Sequence, residues 1–249
     1  MIYQSFAQFY DQLFDSDLYE RWRTYVKQHC AKNTRQVLDL AGGAGRLGVL
    51  LAQDGYQVTD LDFSEDMLTL AQAHAADAGV DLQLICADMT DLTGLPQYDL
   101  VTCFADSLNY LDDLSDVQQT LVEVYKHLKA NGKLLFDMIT PYQTDVVYPG
   151  YMYNYEDEDY ERALMWSSYA NDDVDHGVIH DLTFFYRQQD GSYRRGGETH
   201  FERAYELADV VHAVQAAGFR RPVITSDFGN GQVDDQTTRW FFECQKEDK

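Results

Sequence analysis

The sequence predicts an α/β fold: a seven-stranded, mostly parallel sheet with helices on both faces, plus an antiparallel β insert. Three observations carry that expectation. Between residues 36 and 139, short apolar runs alternate with helical patterns, the sign of parallel strands joined by crossover helices. A glycine turn, Gly43-x-Gly45-x-x-Gly48, follows the first apolar run and opens a helix. After Pro141 the alternation breaks and strand-like patterns take over.

The elements follow in order. Residues 1–34 read as helical, with Phe6, Phe9, Tyr10, Leu13 and Phe14 in one stripe and Tyr19, Trp22, Tyr25 and Val26 in another. Residues 36–40 form a short buried strand, and the glycine turn leads into a helix through Gln53, closed by Gly55. A second strand covers 57–61, and Ser64 caps a helix over 65–78. Strands at 81–86 and 98–104 precede a helix over 115–128, for which Asn131 and Gly132 supply the stop. The fifth strand covers 133–139. Strand-like stretches at 162–169, 178–187 and 198–205 then form the insert, with a hairpin turn at Asp190-Gly191-Ser192. A helix over 207–217 and strands at 220–226 and 238–245 complete the sheet. This organisation makes residues 1–141 with 204–249 one domain, closed by an N-terminal helical lid over about 1–34. Residues 142–203 are an inserted antiparallel subdomain over the active site.

Composition narrows the partners. The chain has 249 residues, with 19 Lys and Arg against 42 Asp and Glu, a net charge of −23. A phosphate backbone is bound through Lys and Arg, so this balance argues against a nucleic-acid partner. No apolar run has the length of a membrane span, and the first residues have neither a basic segment nor an apolar one. The expectation is a soluble, cytoplasmic monomer or homodimer. Cys30, Cys86, Cys103 and Cys244 have no metal-ligand or redox spacing and read as reduced thiols.

The glycine turn admits two cofactors. Asp62 follows Gly43 by 19 residues, as an acid for a ribose would in a dinucleotide fingerprint. Asp39, just before the glycines, decides between them. A carboxylate beside a pyrophosphate costs on the order of 1–4 kcal/mol at surface-like dielectric. The same carboxylate attracts the sulfonium and ammonium of S-adenosylmethionine.

The stretch Val37-Leu38-Asp39-Leu40-Ala41-Gly42-Gly43-Ala44-Gly45 resembles the first motif of the class I S-adenosylmethionine-dependent methyltransferases, with Ala41 in place of the first glycine. The resemblance implies a Rossmann-like fold and that cofactor. It implies that Asp62 in "VTDLDFSEDML" receives both ribose hydroxyls, with Phe63 and Met67 beside it. It implies that Asp88 in "ICADMTDL" faces the adenine amino group next to Met89. Ala41, Gly43 and Gly45 would approach the cofactor, and Phe104 and Ala105 would hold its methionine end. The opening Tyr3-x-x-Phe6-Ala7-x-x-Tyr10-Asp11 resembles that of small-molecule N-methyltransferases, which makes Tyr10 and Trp22 candidate contacts.

In "CFADSLNYL", after the fourth strand, Asp106, Ser107, Asn109 and Tyr110 would face the acceptor. Methyl transfer from a sulfonium needs alignment above all, and an amine nucleophile must be neutral. Candidate bases are Asp106, His176, His180, His200 and Glu202, with Asp106 and His200 the leading pair. Alternation in "THFERAYEL" puts His200 and Glu202 on one strand face. His176 and His180 on one strand lie roughly 13 Å apart, too far to share a metal ion. The acceptor is expected to be a small molecule, an amine before a phosphate ester. Two other readings stand beside this one: an NAD-dependent oxidoreductase, and a non-catalytic S-adenosylmethionine-binding protein.

Overall fold

The computed structural model describes residues 16–247. Helix α1 (Ser16–His29) precedes β1 (Gln36–Leu40), α2 (Arg46–Gln53), β2 (Gln57–Asp62), α3 (Glu65–Ala78), β3 (Gln83–Cys86), β4 (Tyr98–Cys103), α4 (Leu114–His127) and β5 (Leu128–Ile139). Strands β6 (Met152–Glu156), β7 (Arg162–Asn171), β8 (Gly177–Arg187) and β9 (Tyr193–Arg203) follow. Helix α5 (Leu207–Ala216), β10 (Val223–Thr225) and β11 (Arg239–Gln245) end the chain. The helix starts are encoded locally. The Ser64 hydroxyl accepts the Met67 N–H at α3, and the Asp113 carboxylate accepts the Ser115 and Asp116 N–H groups at α4.

One sheet has the order β10-β11-β5-β4-β1-β2-β3. Strands β1 to β5 are parallel, and β11 runs antiparallel between β5 and β10. Strand β1 pairs with β2 on one side and β4 on the other, so the order reverses beside β1. Ligands bind beyond the carboxyl ends of strands at such a reversal. Val37 and Leu38 show the two faces being buried at once. Val37 belongs to the core on one face, with Trp22, Leu47, Leu51 and Leu135; Leu38 belongs to the core on the other, with Val117, Leu121 and Phe136. The second sheet is antiparallel, in the order β6-β7-β8-β9.

Several boundaries differ from expectation, each for a tertiary reason. Strand β5 begins at Leu128, directly after α4, because Leu128 pairs with Tyr98. Asn131 (φ 60°) therefore lies within the strand as an irregularity and does not end a helix. Strand β6 was not expected: its residues are all exposed, so no alternation marks it, and it exists by pairing with β7. Strand β9 starts at Tyr193, before the Gly196-Gly197 pair, because β8 pairs with it along that whole length. The first apolar stripe, with Tyr10, lies outside the described residues. No helix among the described residues is long and apolar enough to cross a membrane.

Candidate active site

At the carboxyl end of β1 the chain turns left-handed at Ala41 (φ 55°), Gly43 (φ 58°) and Gly45 (φ 69°). Ala41 takes a conformation that costs an L-residue roughly 1–2 kcal/mol, so the turn tolerates its methyl at the expense of strain. A Cβ at Gly43 would meet nothing within 4 Å, which leaves open space above the loop. A Cβ at Gly42 would collide with the Asp60 carboxylate below it. The loop is thus closed underneath and open on top.

Asp62 braces this turn. Its Oδ2 accepts the Gly43 N–H at 2.9 Å and its Oδ1 accepts the Ser64 N–H at 2.8 Å. Each carboxylate oxygen can accept more than one bond, so capacity remains for two ligand hydroxyls. Burial pushes Asp62 above the usual carboxylate range, and those backbone bonds hold it down. Phe63, next along, is 78% exposed, an apolar face beside the carboxylate. Asp39 accepts the Thr102 hydroxyl on Oδ1 at 2.6 Å, while its Oδ2 is buried with no partner among the described residues. Burial raises it to about 6. Asp60 is fully buried, neither oxygen has a partner among the described residues, and burial pushes it well up.

Three buried carboxylates around one turn repel each other and would repel a pyrophosphate. They suit a ligand that brings positive charge. The orphaned Asp39 oxygen, the braced Asp62 and the open space over Gly43 therefore fit S-adenosylmethionine. Asp62 would hold its ribose, Asp39 would face its cationic end, and the bound cofactor would supply an activated methyl group.

Beyond β4 the backbone turns again, with Ala105 (φ 58°) and Asp106 (φ 55°) left-handed in succession. Asp137, in the middle of the sheet and fully buried, pins this turn. Its Oδ1 accepts the Asp106 N–H and Arg239 Nη1, both at 2.9 Å, and its Oδ2 accepts the Trp22 indole N–H at 2.9 Å. Arg239 also donates to Asp106 Oδ1 at 3.1 Å. Two carboxylates hold that guanidinium firmly charged against its burial.

The inserted sheet covers this corner. Its register pairs Ser168 with His180 and His180 with His200, and pairs Val178 with Glu202. Every second residue of β7, β8 and β9 therefore faces one way. With Asp106, Tyr110, Tyr148 and Arg239 they enclose a cavity of about 300 Å³. Rings dominate its wall. Tyr148 meets His180 edge-on at 4.6 Å, and Tyr151 meets Trp166 edge-on at 5.6 Å. Glu202 and His180 are buried within it, His180 Nε2 lying 3.4 Å from Glu202 Oε1.

The expected site residues divide between these places. Asp39, Ala41, Gly43, Gly45, Asp62 and Phe63 come together at the first turn, and Met67 sits over Ser64 in the first turn of α3. Asp88 is exposed, and its Oδ1 accepts the Thr90 N–H and hydroxyl at 2.8 Å each. Met89 packs at the edge of the core. Phe104 is buried and stacks on Trp22 at 6.0 Å, so both rings support the site from within the core. Asp106 and Tyr110 line the aromatic cavity, as does His200, which lies 3.2 Å from Glu198. Asn109 is fully buried and spends its amide on backbone: it donates to Arg203 O at 2.8 Å and accepts the Ile139 N–H at 3.0 Å. Sequence reasoning missed Asp60, Asp137 and Arg239. A lone acid inside the apolar run "LLFDMI" was the available signal for Asp137.

A parallel sheet with a carboxylate-lined glycine turn at its reversal point, facing an aromatic cavity, defines a transferase that carries its activated group in S-adenosylmethionine. Comparison with known proteins agrees. Residues 37–132 match the family model described as a methyltransferase domain. A relative from Geobacillus sp. (strain WCH70), provisionally named a methyltransferase, is 38% identical over 250 residues, covering 99% of this chain and all of that one. The crystal structure of an S-adenosylmethionine-dependent methyltransferase from Clostridium acetobutylicum superposes with a TM-score of 0.85 at 28% identity, covering 99% of both chains. A sugar N-methyltransferase from Streptoalloteichus sp has a TM-score of 0.79 at 19% identity, covering 98% of this chain and 93% of its own. The chain belongs to the class I S-adenosylmethionine-dependent methyltransferases.

Proposed function

We propose that the chain methylates a small-molecule amine held between its two sheets. The cavity of about 300 Å³ is the observation that carries this reading. Its volume sits at the small end of ordinary ligand pockets. Its aromatic wall and two carboxylates, Asp106 and Glu202, suit a cationic group through cation–π contacts of roughly 0.5–2 kcal/mol each. The acidic run Glu156 to Asp159 is not part of that wall: Asp157 pairs with Arg162, and the other three are exposed. We read residues 142–203 as the acceptor-binding insert and the rest as the cofactor-binding domain. The fold neighbour named a sugar N-methyltransferase is compatible with an amine acceptor, although its 19% identity speaks for fold alone. The free cysteines suit a reducing cytoplasm, and the acidic surface disfavours nucleic acid.

The test is transfer of labelled methyl from S-adenosylmethionine into separated pools of a cell extract. Label should enter the amine-containing small-molecule fraction. Label confined to nucleic acid or protein would overturn the proposal. Calorimetry should also show micromolar binding of the cofactor and of S-adenosylhomocysteine, with NAD binding far weaker.

A further inference from the structure

Of the polar groups around the acceptor cavity, most are already engaged. Asp106 is paired with Arg239, which Asp137 also holds. His180 is committed by its neighbours. Its Nδ1 lies 3.2 Å from the Trp166 indole N–H, which can only donate, so Nδ1 carries no proton there. The Ser168 hydroxyl, 2.7 Å away, must then donate to the same nitrogen. The neutral ring is left with its proton on Nε2, which faces Glu202 Oε1 at 3.4 Å. That ring cannot accept a proton from a ligand without losing its hold on Trp166 and Ser168.

Glu202 differs. Its side chain is 5% exposed, its Oε1 lies 3.4 Å from His180 Nε2, and its Oε2 is buried with no hydrogen-bond partner among the described residues. A buried carboxylate oxygen without a donor is costly and persists where a ligand supplies the donor. We propose that Glu202 Oε2 is the proton acceptor for the methyl acceptor's ammonium group, and that His180 is the positioning residue that aims it. This rests on the amine reading given above.

The step balances simply. The ammonium donates one proton to Glu202 Oε2, leaving a neutral amine and a carboxylic acid. The nitrogen lone pair then forms the N–C bond as the C–S bond breaks, and that electron pair returns to sulfur. The methylated ammonium and the thioether leave, and Glu202 loses its proton to solvent. Burial and the charge of Asp106 raise Glu202 above the usual carboxylate range, and the neighbouring His180 and Tyr110 hold it down. Such a group takes a proton more readily than an exposed glutamate. The other titratable or charged groups facing it are Tyr148 from the turn after β5, His200 from β9 and Arg239 from β11.

The experiment compares wild type with E202Q and H180Q, using labelled S-adenosylmethionine and the amine fraction of the extract. At pH 7, E202Q should transfer on the order of 100-fold more slowly, with cofactor affinity within about twofold by calorimetry. At pH 9.5, where more of the amine is already neutral, that deficit should shrink. H180Q should move the acid limb of the kcat/KM profile to higher pH, since Glu202 loses a donor. Removing a buried charge leaves E202Q at least as resistant to heat as wild type, which separates loss of transfer from loss of fold. An E202Q enzyme with the wild-type rate, or with the same deficit at both pH values, would overturn the role of Glu202. No label from wild type in the amine fraction would instead overturn the amine reading, and this role with it.

Discussion

The two sheets shape their candidate binding surfaces in different ways. The parallel sheet works through backbone: the Gly43 and Ser64 N–H groups fix Asp62, and left-handed turns shape the space above. The inserted sheet is built through side chains: Trp166 and Ser168 on one strand hold His180 on the next, which faces Glu202 on a third at 3.4 Å. Backbone geometry is common to every residue type, so the first arrangement serves one constant ligand. Side chains at alternate strand positions can change without changing the ladder, so the second can be fitted to a particular acceptor. Asp137 ties α1 to the polar wall of the cavity, because it holds Trp22 on one side and the Asp106–Arg239 pair on the other.

That joint gives the largest expected effect. D137A should cost about 3–5 kcal/mol of stability, because it leaves the buried Arg239 partly uncompensated. Denaturant unfolding measures this. A loss below about 1 kcal/mol would mean Asp106 alone compensates Arg239. G43V tests the cofactor half alone. Its side chain would enter the space over the loop, and affinity should fall on the order of 100-fold, about 2.7 kcal/mol. Tyr151→Ala, in the other half, should leave cofactor affinity unchanged by the same calorimetry. D62A should cost about 1.5–3 kcal/mol in cofactor binding if Asp62 receives both hydroxyls.

The smallest effect is a pH dependence that separates Asp39 from the acceptor half. With Asp39 raised to about 6 by burial, its ionised form would attract the cationic end of a cofactor bound as proposed. Affinity should therefore fall by about tenfold between pH 7 and pH 5 as Asp39 takes up a proton, and D39N should lose that dependence. Stability without cofactor runs the other way. A carboxyl raised in the folded state contributes fully below its unfolded value, and that contribution is lost as pH rises through about 6. The gain in melting temperature from D39N should thus be larger at pH 7.5 than at pH 4.5. Equal gains at both values would place the titration on Asp60 or Asp62.

The alternation of strands and helices through β5, the glycine turn, the identity of the cofactor and the presence of an antiparallel insert were legible in the sequence, while strand β6 was not. Each rests on local signals: alternation with period two or 3.6, capping residues such as Ser64, and an acid placed before the glycines. The cofactor cradle is written within 28 consecutive residues, 37–64, because backbone at two neighbouring strand ends builds it. The proposed acceptor cavity is not written that way. Asp106, His180, Glu202 and Arg239 are spread over more than a hundred residues, and which of them is paired depends on register between strands. Asn109, Trp22 and Phe104 sit in stretches that read as ligand contacts, and packing turned them inward. Tertiary structure alone decided which carboxylates were neutralised by Arg239 and which, like Glu202 Oε2, were buried without a partner. Burial and pairing of charge depend on every element packed around a group, and no local window of sequence contains them.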